Sequence, residues 1–158
     1  MQDLLAAAAQ LGERLRARGE TVAVAESSAG GLIAAALLTQ PGASAFFRGG
    51  AVVYTRQAQE GLLGITAADM QGSRSATEPY AMLLTQRLRE RLDATWGLAE
   101  TGAAGPLGNS YGDAPGHSCL AVSGPVKAVR TIATGSADRV ANMRAFAAAA
   151  LALLGEQL

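Results

Sequence analysis

The stretch Thr21-Val22-Ala23-Val24-Ala25-Glu26-Ser27-Ser28-Ala29-Gly30-Gly31 decides the fold of this 158-residue chain. Residues 21–25 are β-branched or small and apolar, which predicts a short buried strand. Glu26–Gly31 then turns the chain. Gly30-Gly31 opens a helix over Leu32–Thr39, and Pro41-Gly42 ends it.

Working outward, Leu4, Leu5, Ala8, Leu11 and Leu15 recur at helical spacing, and Gly19 stands where a helix over residues 3–18 would stop. Downstream, Gly49-Gly50 leads into a strand at Ala51–Tyr54. A short helix is predicted over Gln57–Leu63, with another helical turn at Thr66–Met70. Glu78–Arg91 carries Met82, Leu83, Leu84 and Leu88 on one face, a long amphipathic helix. Trp96–Glu100 reads as a strand, 101–116 as a long glycine- and proline-containing loop, and Cys119–Ser123 with Val129–Thr134 as a hairpin. Asp138–Leu154 is the last predicted helix. Alternating strands and helices predict a three-layer α/β/α sandwich around a mixed, mostly parallel sheet, in one domain spanning 1–158. The late hairpin is what makes the sheet mixed.

Composition narrows the function classes. Thirteen basic and thirteen acidic residues cancel, so nothing electrostatic recommends nucleic acid or an anionic membrane as a partner. The single cysteine, Cys119, forbids an intramolecular disulfide and suits a reducing compartment. No basic-plus-apolar leader is visible, and the apolar-rich stretch Ala145–Leu154 is shorter than the roughly 20 residues a membrane-spanning helix needs. A cytoplasmic protein is expected. Twelve of the thirteen basic residues are arginines, Lys127 being the exception. A bias towards arginine explains lost surface lysines but would not turn a catalytic lysine into glutamine.

Chemistry concentrates at three places. Ser27 and Ser28 end a strand and face a helix N-terminus, where unpaired N–H groups cap, bind an anion or stabilise an oxyanion. From spacing alone, capping by either serine explains the pattern as well as catalysis does. Gly30 and Gly31 permit close backbone approach. Tyr54 ends a strand and precedes Thr55-Arg56-Gln57-Ala58-Gln59. Thr101-Gly102-Ala103-Ala104-Gly105-Pro106 opens the long loop, as either a ligand-facing turn or a plain connection. His117 is the one histidine, a residue type suited to proton transfer at neutral pH.

These three segments together resemble the C-terminal domain of the competence/damage-inducible protein CinA, whose stand-alone relatives are nicotinamide mononucleotide deamidases. The resemblance runs over roughly residues 3–154. Ala25–Gly31 is similar to the family's Ala-Glu-Ser-Cys-Thr-Gly-Gly, whose serine is taken as nucleophile, which implies that role for Ser27. Ser28 and Ala29 stand at the Cys-Thr positions. Tyr54–Gln59 is similar to Tyr-Ser-Asn-Glu-Ala-Lys, so Tyr54 matches the relay tyrosine while Gln59 occupies the position of the base lysine. Thr101–Pro106 resembles Ser/Thr-Gly-Ile-Ala-Gly-Pro, which implies a nucleotide pocket using Thr101, Gly102, Ala104 and Gly105. His117 falls on a threonine of Lys-Pro-Val-Gly-Thr-Val. The family's Gly-Asp-Arg with a further arginine four residues on corresponds to Gly135-Ser136-Ala137 and Ala141, with Arg139 and Arg144 expected on other parts of the helix.

The resemblance implies an amidohydrolase with Ser27 as nucleophile, Tyr54 as relay and N–H donors near Gly30 and Gly31, acting on a small nucleotide without cofactor or metal. Glutamine does not titrate near neutrality, so Gln59 cannot be the base. Arg56 stays protonated. Impaired hydrolysis is therefore expected, with His117 or water replacing the lysine; the alternative is an inactive domain that binds a nucleotide or a partner. The relatives also imply a homo-oligomer.

Overall fold

The computed structural model describes all residues from Met1 to Leu158. Helix α1 (Gln2–Arg18) ends where Gly19 enters the left-handed region at φ 64°, the conformation glycine adopts without steric cost. Strand β1 (Val22–Glu26) follows, then α2 (Leu32–Leu38), a 3-10 turn at Ala43–Ala45, and β2 (Phe47–Val52). Two short helices, α3 (Arg56–Leu63) and α4 (Ala67–Met70), lead to α5 (Glu78–Arg91). Strands β3 (Trp96–Ala103), β4 (His117–Ser123) and β5 (Ala128–Ala133) precede α6 (Arg139–Gln157).

The strands lie in the order β2-β1-β3-β4-β5. β1 pairs parallel with β2 and with β3, while β3/β4 and β4/β5 are antiparallel. Only β4 therefore runs against the others, which is the mixed, mostly parallel sheet expected. Helices α1, α2 and α6 pack together on one face and α5 lies across the other, giving three layers. Alternation along β1 divides the core: Val22 and Val24 join Leu4, Ile33, Phe46 and Phe146, whereas Ala23 and Ala25 join Tyr80, Leu84 and Leu88. No helix is long and apolar enough to cross a membrane.

Two strands differ from their predicted bounds. β2 starts at Phe47, four residues before the predicted start, and continues through Gly49-Gly50. A Cβ on Gly50 would lie 3.2 Å from the Ala34 Cβ and 3.4 Å from the Val24 carbonyl oxygen, so glycine there lets the strand lie close to α2 and β1. β3 runs three residues past Glu100 because Thr101, Gly102 and Ala103 pair with Cys119, Ser118 and His117. Thr101 and Gly102 are thus strand residues, and the irregular connection begins only after Ala103. Long-range pairing overrides local glycine content in both cases.

β1 sits between β2 and β3, and its neighbours are reached by connections on opposite faces. The chain leaves β1 through α2 to β2, then crosses by α5 to β3. The carboxyl ends of β1 and β3 consequently flank a switch point, where open α/β sheets leave a crevice.

Candidate active site

Ser27 follows β1, Tyr54 follows β2, and Thr101-Gly102 lies in the last part of β3. All four line one cleft of about 300 Å³, together with Gln59 from α3 and Tyr80 from α5. Ser27 is half-buried and Tyr54 is 58% exposed at the rim. The Tyr54 hydroxyl accepts a hydrogen bond from Arg139 Nη2 at 3.1 Å.

Gln59 is not the exposed helical residue its position on a short helix would suggest. It is 7% exposed, and its Oε1 accepts from the Tyr80 hydroxyl at 3.0 Å. Burial pushes the Tyr80 phenol up to about 12, so it stays a protonated donor to Gln59. Position 59 is therefore filled by a neutral amide with its oxygen already engaged.

Glu100 is the largest feature the sequence reading missed. Fully buried at the base of the serine turn, it accepts from the Ser27 N–H at 3.1 Å, the Ala29 N–H at 2.7 Å and the Ser118 hydroxyl at 3.0 Å. The Ser28 hydroxyl also donates to it. A carboxylate at the end of the apolar run Trp96–Ala99 was the available signal, since glutamate is almost never fully buried without partners. Glu26, 1% exposed, accepts from the N–H groups of Gly31 at 2.9 Å, Ile33 at 3.1 Å and Ala34 at 2.8 Å. Burial raises both carboxyl pKa values above the usual range, against the pull of these donors; the nearby Glu100 charge adds to the rise at Glu26.

These contacts correct the expected oxyanion donors. The Gly31 N–H is held by Glu26, and the Gly30 N–H donates to the Ser27 carbonyl at 3.2 Å. From Ser27 to Ala34, only the Ser28 N–H has no acceptor within the protein. Gly30 at φ 67° and Gly31 at φ 96° shape the turn rather than donate from it. Neither serine caps α2 with its side chain; Glu26 takes that role.

The remaining sequence candidates separate. Ala104 and Gly105 lie just beyond the cleft: the Ala104 carbonyl accepts from Asn142 Nδ2 at 2.8 Å and the Gly105 carbonyl from Arg139 Nη1 at 2.6 Å. Arg139, the first residue of α6, thus reaches Tyr54 and the glycine loop together. His117 does not line the cleft. Its Nε2 lies 2.9 Å from the Ala76 carbonyl, an acceptor only, so Nε2 carries the proton and is not a free base beside Ser27. The Asp113 carboxylate stands 3.8 Å from the same nitrogen. Lys127 is in the β4–β5 turn, at the opposite end of the sheet from Ser27.

Chemically, the arrangement offers a half-exposed serine hydroxyl, one unused N–H next to it, a tyrosine at the rim and a buried amide. The serine turn itself is held by two carboxylates.

The family model for the CinA C-terminal domain matches residues 5–158. A CinA-like protein from Anaeromyxobacter dehalogenans (strain 2CP-C) is 40% identical over 137 residues, which is 85% of this chain and 34% of that protein. One from Synechococcus sp. (strain CC9902) is 41% identical over 106 residues, 67% of this chain and 25% of that protein. The chain thus matches only about a quarter to a third of these relatives' length. Among solved structures, a competence-damaged protein (CinA) superfamily protein from Escherichia coli superposes with TM-score 0.92 at 26% identity, covering 99% of this chain and 92% of that one. The competence/damage inducible protein from Agrobacterium tumefaciens gives 0.89 at 28% identity, covering 96% and 93%. With the family model spanning nearly its whole length, the chain belongs to the CinA C-terminal domain family.

Proposed function

We propose that the Ser27 cleft takes a nicotinamide nucleotide and hydrolyses its carboxamide with impaired efficiency, releasing ammonia and the corresponding acid. The observation that carries this reading is the convergence of Ser27, Tyr54, Gln59, Thr101 and Gly102 on one cleft. In the proposed reaction the Ser27 Oγ attacks the carboxamide carbon, ammonia leaves, and water releases the acyl group. The Ser28 N–H is the donor placed for the developing oxyanion. Tyr54, bonded to Arg139, relays the proton, with water in place of the missing lysine.

A second reading is favoured by the saturation of the serine turn and by the neutral Gln59. It is a non-catalytic domain that holds a nucleotide or a partner at the same cleft. Ammonia release from nicotinamide mononucleotide, with Ser27→Ala as control, separates the two. Slow release that disappears in the variant supports the amidohydrolase. Binding without any release, even at high protein concentration, leaves the binding domain.

A further inference from the structure

The serine turn has one free backbone N–H, that of Ser28, which can serve a single carbonyl oxygen but not the several oxygens of a phosphate. Glu26 and Glu100 together accept five backbone N–H groups, those of Ser27, Ala29, Gly31, Ile33 and Ala34. A helix N-terminus ordinarily attracts phosphate through such donors. Here two buried carboxyl groups take those donors, which leaves none for the oxygens of a phosphate. A ligand with its reacting carbonyl at Ser27 must therefore direct any anionic part elsewhere.

The cleft offers one destination. Arg56, the first residue of α3, is the only charged side chain that lines it. No ion pair or hydrogen bond engages its guanidinium. The other arginines near the site are committed. Arg74 forks onto Asp113 at 2.6 and 3.1 Å, and Arg139 is spent on Gly105 and Tyr54. Past Arg56, Gln59, Ser75 and Tyr111 the cleft continues into a second one of about 370 Å³, which also contains Ser73 and the carboxylate of Glu60. Arg56 stands on the saddle between the two and faces both.

We propose that Arg56 and the second cleft form an anion subsite, and that the ligand is a two-part molecule. Its carbonyl-bearing ring sits at Ser27 and its phosphomonoester crosses the saddle to Arg56. Guanidinium presents paired donors that match phosphate oxygens, and Ser73 and Ser75 add neutral polar surface beside it. The subsite gives the molecule a direction, with the carbonyl end over the carboxylate-backed turn and the anionic end over the unpaired cation. This deepens the nucleotide reading above and rests on it.

The test is calorimetric binding of nicotinamide mononucleotide and of nicotinamide riboside, which lacks the phosphate, to the wild-type protein, Arg56→Ala and Arg139→Ala. Arg56 is exposed and unbonded, so its removal leaves the fold intact. Wild type should prefer the phosphorylated ligand by about tenfold or more, in line with a charge-assisted contact. Arg56→Ala should bring the two ligands within about twofold by weakening only the phosphorylated one, while Arg139→Ala keeps the preference. A preference that survives in Arg56→Ala, or equal binding of both ligands by wild type, overturns the subsite. Wild type that binds neither ligand overturns the subsite and the nucleotide reading together. Preference without ammonia release leaves the subsite standing and removes hydrolysis alone.

Discussion

Replacing Glu100 with alanine should loosen the serine turn at its base. The side chain accepts two backbone N–H groups and two serine hydroxyls, and all of it is buried. The hydroxyls can turn to other acceptors; Ser118 already lies 3.3 Å from the Thr101 carbonyl. The Ser27 and Ala29 N–H groups cannot turn. Two orphaned buried donors at roughly 1–3 kcal/mol each place the loss at about 2–6 kcal/mol, a large share of the 5–15 kcal/mol typical of a domain. Glu100→Gln should cost within about 1 kcal/mol at neutral pH, because the amide oxygen can serve the two N–H groups while its NH2 donates to the hydroxyls. Urea unfolding of the three proteins measures both. The pH dependence adds a second arm. Burial raises the folded pKa of Glu100 and of Glu26. The folded state then holds protons that the unfolded chain gives up near the ordinary carboxylate value. This contribution is complete below that value and declines as pH rises through the raised folded values. Glu100→Gln should flatten the decline that wild type shows above the ordinary carboxylate value. A cost below about 1 kcal/mol for Glu100→Ala, or equal slopes for wild type and Glu100→Gln, would refute the reasoning.

Other outcomes follow from neighbouring contacts. Asp113 is held down to about 2, chiefly by Arg74, so its contribution is present above the ordinary value near 4 and lost as pH falls toward about 2. Asp113→Asn should cost about 1 kcal/mol and speed amide hydrogen exchange across residues 104–116; unchanged exchange there would count against the pair as the clamp of that loop. Gly30→Ala places a Cβ in a left-handed position, 2.7 Å from the Met143 methyl group, and should lose about 1–2 kcal/mol in thermal unfolding. A neutral result would mean that the turn relaxes freely.

Most of the scaffold was legible because its signals are local. Gly19 stops α1 where the sequence places the stop, and α5 spans the predicted Glu78–Arg91. β2 and β3 were misplaced at their ends because partners distant in sequence set them. The cleft residues Ser27, Tyr54, Gln59, Thr101 and Gly102 were legible through the motifs that resemble a family. What stayed hidden is what only tertiary packing creates. Glu100 acquires its donors from a turn more than 70 residues earlier, and Arg139 meets Tyr54 across 85 residues. His117 looked available in sequence, yet its ring nitrogen is taken up by the backbone of Ala76, brought there by the segment before α5.

The measurement that bears most directly on the central claim is Ser27-dependent ammonia release from nicotinamide mononucleotide by wild type and by Gln59→Lys, side by side. If the cleft is an amidohydrolase site short of its base, the lysine variant should exceed wild type by at least about tenfold, a threshold set below the roughly 10²–10⁴-fold that a well-positioned base contributes. That release should vanish when Ser27→Ala is added. A lysine variant no faster than wild type, or release that persists without Ser27, would contradict the account.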